Sequence, residues 1–311
     1  MWTELSISIH NNIKKIEIHV NISNKCINTM GVKHMKTLIE KYCATSYTTL
    51  SLFSLANQTI VVDTNLYMYK FKSNENQLIY EFENMLKKFT KYNINPVFVF
   101  DGKPKLDKFK TIERRRKQRL SAYQALDTIK DKLAKTNNKL TLKKLEKKLV
   151  FYENKVTKLY SADFENIKAL ISKYGYQFIQ ADNEADDVCA KHHLYSSSFA
   201  VMSEDMDLIM YGCNFIMINT DFNNETFDLL CTKVLFKNLN IKCLSDFQQM
   251  CILSGTDYNK AFTLYVALCL YYIYIQTKRK HETLFTWCIN NDIISYNNYL
   301  NYNNIQKKFI I

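Results

Sequence analysis

Short runs of apolar residues alternate along the chain with longer segments in which apolar residues recur at helical spacing. Strands of a parallel sheet are buried on both faces and read as continuous apolar runs, whereas the helices that connect them keep one polar face. The apolar runs predict strands at residues 58–62, 96–100, 176–179, 199–202 and 214–218. The predicted fold class is therefore α/β, with a central mostly parallel sheet flanked by helices.

The segments of helical period predict the connecting helices. They lie at residues 76–92, 162–174, 184–195 and 245–253, with two more between 111 and 158. Asn183 and Ser245 are the predicted N-caps of the third and fourth of these helices. The longest apolar run, at residues 264–275, predicts a buried helix, since it is too short to span a bilayer.

Residues 103–158 differ in composition from the rest of the chain. They contain few strand formers and many cations, as in ERRRKQR at 113–119 and KLTLKKLEKKL at 139–149. The helical period predicts a pair of exposed basic helices inserted between two strands. A plain solvated surface would give the same composition, so the pattern alone leaves nucleic-acid binding and simple solvation equally open.

Charge and composition narrow the class of partner. The 311 residues include 42 Lys and Arg against 30 Asp and Glu, a net charge of +12, which favours a polyanion such as nucleic acid. No lipidation signal or membrane-spanning segment is visible, so no membrane contact is predicted. Nine cysteines without a C-x-x-C pair predict free thiols and a reducing intracellular compartment. With five glycines and two prolines, the chain contains no phosphate-binding glycine loop.

Acidic residues follow three of the predicted strands, at Asp63, Asp101 and Asp205. The carboxyl ends of parallel strands lie along one edge of a sheet, where ligands bind. Four further acids come close to the same edge in the predicted fold: Glu184, Asp186, Asp207 and Asp257. Clustered carboxylates need cations to stay ionised, and oxygen ligands suit Mg²⁺ or Mn²⁺. Two such ions about 4 Å apart would suit phosphodiester hydrolysis. Glu204 is predicted to be a solvent-facing neighbour.

An ordered set of segments resembles the flap endonuclease family of structure-specific 5′ nucleases. The segments are MGVKHMKTLI at 30, VVDTNLYMYKF at 61, VFVFDGKPKLDK at 97, NEADD at 183, SEDMDLIMYG at 203 and ILSGTDY at 252. The composition, poor in glycine and rich in Asn, Lys and Ile, resembles flap endonuclease-like proteins of large DNA viruses. The resemblance implies a metal-dependent endonuclease and exonuclease that cuts DNA at 5′ flaps or junctions in replication, recombination or repair. It also implies two Mg²⁺ ions, with Mn²⁺ as a substitute.

The resemblance assigns roles to individual positions. The metal ligands would be Asp63, Asp101, Glu184, Asp186, Asp205, Asp207 and Asp257, although many family members have Glu at the position of Asp186. Lys108 and Arg115 would contact the scissile phosphate, and Tyr69 would stack on the neighbouring base. The alternative for Tyr69 is a core tyrosine of an amphipathic helix. The basic helices would form the family's arch, which adds DNA contacts at Lys103, Arg114, Arg116, Arg119, Lys155 and Lys158.

The resemblance implies five regions along the chain. They are an N-terminal extension (1–29), an N-terminal nuclease region (30–110), the arch (111–160), an internal nuclease region (161–260) and a short helical C-terminal region (261–311). Family members begin with Met-Gly, whereas 29 residues precede Met30 here. Either translation starts at Met30, which is the favoured hypothesis, or the extension folds aside from the active site. The family's Gly-x-Gly turn, which binds duplex DNA with a potassium ion, has no counterpart after Asp257.

The expected partners are DNA with junctions of single and double strands, and replication or repair proteins. The final residues, QKKFII, are only a fragment of a sliding-clamp motif, so a clamp contact is doubtful. The expected location is the nucleus or a cytoplasmic site of DNA replication. Two alternatives remain open, namely a non-catalytic DNA-binding scaffold of the same fold and an RNA-cleaving metal nuclease.

Overall fold

The computed structural model describes Val32 and residues 34–73, 77–103, 109–136, 138–256, 258–259 and 262–311, without the side chains at 109–112, 115, 139–140 and 154. The chain divides into two compact units, each assembled from separate stretches of sequence. The sheet unit comprises Thr49–Glu204 and Met217–Asp228. The helical unit comprises the described residues up to Thr48 together with Asp205–Ile216 and Leu229–Ile311.

Seven strands form one sheet, and most of their residues belong to the sheet unit. The strands are β1 (Tyr47–Ser51), β2 (Thr59–Asp63), β3 (Asn95–Phe100), β4 (Gln177–Gln180), β5 (Ala200–Met202), β6 (Phe215–Asp221) and β7 (Thr226–Cys231). Their spatial order is β1-β7-β6-β5-β2-β3-β4. Strand β2 pairs in parallel with β3 and β5, and β3 pairs in parallel with β4. The five predicted strands and the α/β fold class are confirmed.

The helices of the described residues are numbered in chain order. They are α1 (Met35–Tyr42), α2 (Thr64–Ser73), α3 (Leu78–Lys91), α4 (Phe109–Ala134), α5 (Lys139–Val156), α6 (Ser161–Lys173), α7 (Ala185–Tyr195), α8 (Thr232–Asn238), α9 (Leu244–Ser254), α10 (Leu264–Thr277), α11 (Leu284–Asn290) and α12 (Tyr296–Gln306). All predicted helices are present, and the apolar run at 264–275 forms most of α10. No helix in the described part of the chain is long and apolar enough to cross a membrane.

Helices α4 and α5 lie between strands β3 and β4, as predicted for the arch. Their apolar residues are few, but they are placed so that the two helices can pack on each other. Ala122, Leu126 and Ile129 recur at helical spacing on α4 and are buried, as is Leu145 on α5. The hydroxyl of Tyr123 also donates to the carbonyl of Val156 at 3.4 Å. Most other described side chains of this helical pair are exposed.

The predicted N-caps are wrong by one or two residues. Glu184, not Asn183, occupies the N-cap position of α7, and Cys243, not Ser245, that of α9. Neither N-cap side chain bonds to its own helix. In α7 the first backbone N–H is instead bonded by a carboxylate from another part of the chain, which sequence-local rules do not anticipate.

Candidate active site

Asp63 ends strand β2 and is buried, with 7% of its surface exposed. One carboxylate oxygen, Oδ2, accepts a hydrogen bond from the hydroxyl of Ser203 at 2.8 Å. The parallel register explains this contact, because Val62 pairs with Met202 and the next residues of both strands therefore come side by side. The end of β2 thus presents a buried carboxylate at the carboxyl edge of the sheet.

Asp101 follows the neighbouring strand β3 and stands at the same edge. Its Oδ2 accepts from the Asn65 amide at 2.9 Å, and its Oδ1 accepts from the backbone N–H of Ala185 at 2.8 Å. Ala185 is the first residue of α7, so Asp101 satisfies a donor that has no partner within the helix. This bond fixes the start of α7 beside the end of β3.

Gly102 is needed for this close approach. A Cβ atom at Gly102 would lie 2.1 Å from the carbonyl oxygen of Ala181 and 2.5 Å from backbone atoms of Asp182. The N–H of Gly102 donates to the carbonyl of Asn183, and the N–H of Lys103 donates to that of Asp182 at 3.1 Å. Only glycine leaves room for these two backbone segments to run side by side.

Two further predicted ligands lie at the start of α7. Glu184 is the N-cap and Asp186 belongs to the first turn, and both are half-buried. The partial positive charge of the helix N-terminus stabilises carboxylates there. Together with Asp63 and Asp101, these residues place four predicted ligands in the sheet unit, at strand ends and at the start of the helix that Asp101 holds.

The other described residues of the predicted ligand set, Asp205 and Asp207, belong to the helical unit and are both buried. Asp205 caps a 3₁₀ turn, where its Oδ1 accepts from the N–H of Asp207 at 2.9 Å. Asp207 in turn accepts from the N–H of Val32 at 2.8 Å. Burial raises the pKa of the Cys251 thiol, and the negative charge of Asp207 adds to that shift. Sequence reasoning missed the contact with Val32, because nothing in the local pattern links residues 175 positions apart.

Glu204 is not the solvent-facing neighbour predicted from the sequence. Its side chain is 21% exposed, lies 3.6 Å from the ammonium of Lys70 and accepts from the N–H of Asn219 at 2.8 Å. Burial raises the pKa of Tyr67, and the charge of Glu204 raises it further. Glu204 therefore holds the end of β5 against β6 within the sheet unit.

Tyr69 on α2 is 42% exposed, so the alternative interpretation as a core tyrosine is wrong. The core tyrosine of this helix is Tyr67, which is fully buried and donates to the hydroxyl of Thr220 at 3.4 Å. The two positions lie on opposite faces because two residues span about 200° of a helix. The exposed ring of Tyr69 is available for a stacking contact, and that role stays a prediction.

The predicted cations of the DNA-binding surface fall into two groups. Lys108 and the side chain of Arg115 lie outside the described residues, and so does the predicted metal ligand Asp257. The others are exposed or half-buried, namely Lys103, Arg114, Arg116, Arg119, Lys155 and Lys158. The Lys155 ammonium lies over the Phe151 ring, 4.3 Å from its centroid, and that of Lys158 lies 5.1 Å from the Tyr160 centroid. Their contacts with DNA remain predictions.

The donor chemistry of the acidic residues suits a hard divalent cation, because all the ligating atoms would be oxygens. Zinc would call for histidine or cysteine ligands, and none belongs to the predicted set. Among the described residues, no group of three or more His, Cys, Asp or Glu side chains is arranged to hold a metal ion. Instead Asp63, Asp101, Asp205 and Asp207 accept hydrogen bonds from protein donors, with which a cation would compete.

Comparison with known families gives two matches along the chain. The XPG N-terminal domain matches residues 30–122, and the XPG I-region matches residues 175–257. Together they span more than half of the 311 residues and contain all seven predicted metal ligands. Helix α5 lies between the two matched ranges.

Individual proteins are also similar to this chain. The probable RAD2-like endonuclease 369L of Invertebrate iridescent virus 6 is 28% identical over 74% of this chain and 67% of its own length. Flap endonuclease 1 of Theileria parva is 31% identical over 74% of this chain and 47% of its own. The catalytic core of Rad2 in complex with DNA substrate superposes with a TM-score of 0.59 at 18% identity, covering 86% of this chain and 85% of that core. The chain thus spans about half to two thirds of the length of these curated relatives.

Proposed function

Because the chain belongs to the flap endonuclease family, we propose that it is a structure-specific 5′ nuclease, which hydrolyses phosphodiester bonds of DNA at 5′ flaps or junctions. The single observation that carries the proposal is the paired ends of β2 and β3. Adjacent parallel strands deliver Asp63 and Asp101 to one edge of the sheet, and Asp101 anchors the helix that carries Asp186. Substrates of open α/β sheets bind at this edge.

A divalent cation is the cofactor that the oxygen donors at this edge of the sheet suit in their chemistry. Asp63, Asp101, Glu184 and Asp186 would hold it, with Mg²⁺ as the natural ion and Mn²⁺ as its substitute. When bound, two such ions would activate the attacking water and stabilise charge on the transferring phosphoryl group. Asp205, Asp207 and Asp257 remain predicted ligands whose contribution their own variants must test.

The protein's own residues would position the DNA. The exposed ring of Tyr69 would stack on a base beside the cut, and such stacking contributes about 1–3 kcal/mol per base. Lys108 and Arg115 would neutralise charge on the scissile phosphate. The exposed cations of α4 and α5 would contact the backbone of the single-stranded 5′ end, so binding should weaken steeply with salt.

Two adjacent acids on α7 provide a matched test. Asp186 is a predicted ligand, whereas its neighbour Asp187 lies 3.9 Å from the ammonium of Lys191 and has no predicted role. We expect Asp186→Asn to lower the cleavage rate of a labelled 5′-flap substrate about a hundredfold or more, by analogy with the loss of one oxyanion donor. Asp187→Asn should leave the rate nearly unchanged. Binding of Mn²⁺, followed by electron paramagnetic resonance, should weaken in the first variant alone.

The same assay, run on nicked, gapped, four-way, single-stranded and RNA-flap substrates, separates the alternatives. Equal rates for the Asp186 and Asp187 variants would contradict the proposed ligand set. DNA binding without cleavage at any divalent ion would favour the scaffold. Preferential cutting of RNA flaps would favour the RNA nuclease. Asp205→Asn extends the test to the helical unit.

A further inference from the structure

Four consecutive basic residues connect α10 with α11 in the helical unit. They are Lys278, Arg279, Lys280 and His281, and all four are exposed. The segment Lys278–Glu282 is called the basic turn below. Two lysine side chains and one arginine side chain provide the cations of this turn.

The backbone of the basic turn is fixed by Glu282. The buried Tyr274 donates its hydroxyl to the carbonyl of Glu282 at 2.7 Å. The Glu282 carboxylate accepts from the N–H of Arg279 at 2.9 Å and from the Asn290 amide at 2.7 Å. The N–H of Glu282 donates back to the carbonyl of Arg279 at 3.2 Å. These bonds hold the turn in one conformation, which lowers the entropy cost of binding.

The cations of the basic turn carry charge that the described part of the chain does not neutralise. Among the described residues, no carboxylate forms an ion pair with the side chain of Lys278, Arg279 or Lys280. The Glu282 carboxylate bonds instead to a backbone N–H and an amide. The Lys278 ammonium lies over the Tyr274 ring, 5.0 Å from its centroid. Three adjacent cations repel one another, and an external anion relieves that repulsion.

The loop before α10 uses its polar groups internally. Asn259 accepts from both the N–H and the hydroxyl of Thr256, at 3.1 and 2.8 Å, and its amide donates to the carbonyl of Ile252 at 2.8 Å. The N–H of Tyr258 donates to the Thr256 hydroxyl at 3.2 Å. In the described part of this loop, side-chain hydrogen bonds therefore order the backbone at the position where the resembled family has its glycine turn.

We propose that the basic turn binds the phosphate backbone of duplex DNA. Three adjacent, exposed cations on an ordered turn can bind three phosphates of the DNA backbone. The proposal rests on the proposed function, in that it supplies the duplex contact that a junction-cutting nuclease needs.

The test compares two triple variants with the same change in charge. Lys278→Gln, Arg279→Gln, Lys280→Gln removes the cations of the basic turn. The control, Lys233→Gln, Lys237→Gln, Lys242→Gln, removes three exposed cations elsewhere in the helical unit. Affinity for a blunt 20-base-pair duplex and for a 20-nucleotide single strand is measured by fluorescence anisotropy in EDTA, so that no cleavage occurs. Salt is varied from 50 to 200 mM.

The salt exponent is the slope with which the logarithm of the affinity falls against the logarithm of the salt concentration. Loss of three phosphate contacts should reduce this exponent for duplex binding by about 2.7. Between 50 and 200 mM salt, the parent should therefore lose roughly 40 times more affinity than the basic-turn variant does. The control should keep the parent exponent, and single-strand binding should change little in either variant.

Equal exponents in the two variants would overturn the proposal, and so would equal losses on duplex and single strand. A parent chain that neither binds nor cuts DNA would refute the proposed function itself. A parent that does both, with an unchanged exponent in the basic-turn variant, would refute the basic turn alone.

Discussion

Truncation of Phe309 to alanine tests whether the carboxyl-terminal segment is part of the folded core or an exposed peptide. Phe309 is 3% exposed, and its ring centroid lies 5.1 Å from that of Tyr211 and 6.4 Å from that of Tyr258. Its carbonyl accepts from the Gln248 amide at 3.3 Å. Gln306, in the same segment, donates to the side chain of Gln248 at 3.1 Å. These side chains are engaged inside the helical unit.

The burial of Phe309 determines how much free energy of unfolding the truncation removes. Removing a buried phenylalanine side chain loses its transfer free energy and leaves a cavity, which together cost about 3–5 kcal/mol. Because the unfolding free energy of a typical protein is about 5–15 kcal/mol, Phe309→Ala should remove about a fifth of it or more. The neighbouring Ile310 is 69% exposed and provides a matched control, whose change to alanine should cost less than about 0.5 kcal/mol.

Urea unfolding followed by tryptophan fluorescence measures both variants. The expected result is a clear fall in the midpoint for Phe309→Ala and none for Ile310→Ala. Equal midpoints would refute the reasoning and would mean that the segment is free in solution. In that case a sliding-clamp contact of the carboxyl-terminal segment would be better supported, because a recognition peptide needs accessible side chains. A large difference would instead make a clamp contact through Phe309 unfavourable, since binding would require the segment to leave the core.

Two more predictions follow from local geometry. Gly102→Ala should lower the cleavage rate roughly 100-fold, because the new methyl group separates Asp101 from α7 and a shift of about 1 Å can cost that much. Gly175 has φ +78°, and a Cβ added there would meet no atom within 4 Å apart from its chain neighbours, so Gly175→Ala should lower stability while leaving the rate unchanged. Equal rates for the two variants would refute the steric argument. Burial lowers the pKa of His193 below its ordinary 6.5, so the folded state favours the neutral ring and stability should fall as the pH drops below about 6.5. A weaker pH dependence of unfolding in His193→Gln between pH 7.5 and 5 would bear this out, and an identical dependence would contradict it.

Patterns that depend on burial could be predicted from the sequence. Strands β2, β3 and β5 are apolar because they lie inside the sheet, and their ends are marked by polar residues. The acids after β2 and β3 could be placed at one edge because parallel pairing brings strand ends together. The basic helices α4 and α5 could be predicted from helical spacing and composition, since few of their side chains contribute to a core.

Features that depend on pairing between distant residues could not be predicted. Strand β1 is short, polar and mostly exposed, and its side of the sheet is held by contacts such as that of the Thr49 hydroxyl with Asp228 at 2.6 Å. Strand β7 follows a turn closed by Asp221, which accepts from the N–H groups of Asn223 and Asn224. Neither strand shows the apolar run that identifies a central strand, so both were missed.

Asp101 illustrates why a motif identifies a carboxylate more readily than its role. From sequence, the residue is an acid after a strand and a predicted metal ligand. In the structure it also satisfies the first N–H of α7 and the amide of Asn65, so the fold depends on it before any cation binds. Asparagine at this position would keep the side-chain oxygen that Ala185 needs but lose the negative charge. Asp101→Asn should therefore be milder for stability than Asp101→Ala while reducing cleavage to a similar extent, because a metal ion requires the charge and the helix requires only the oxygen.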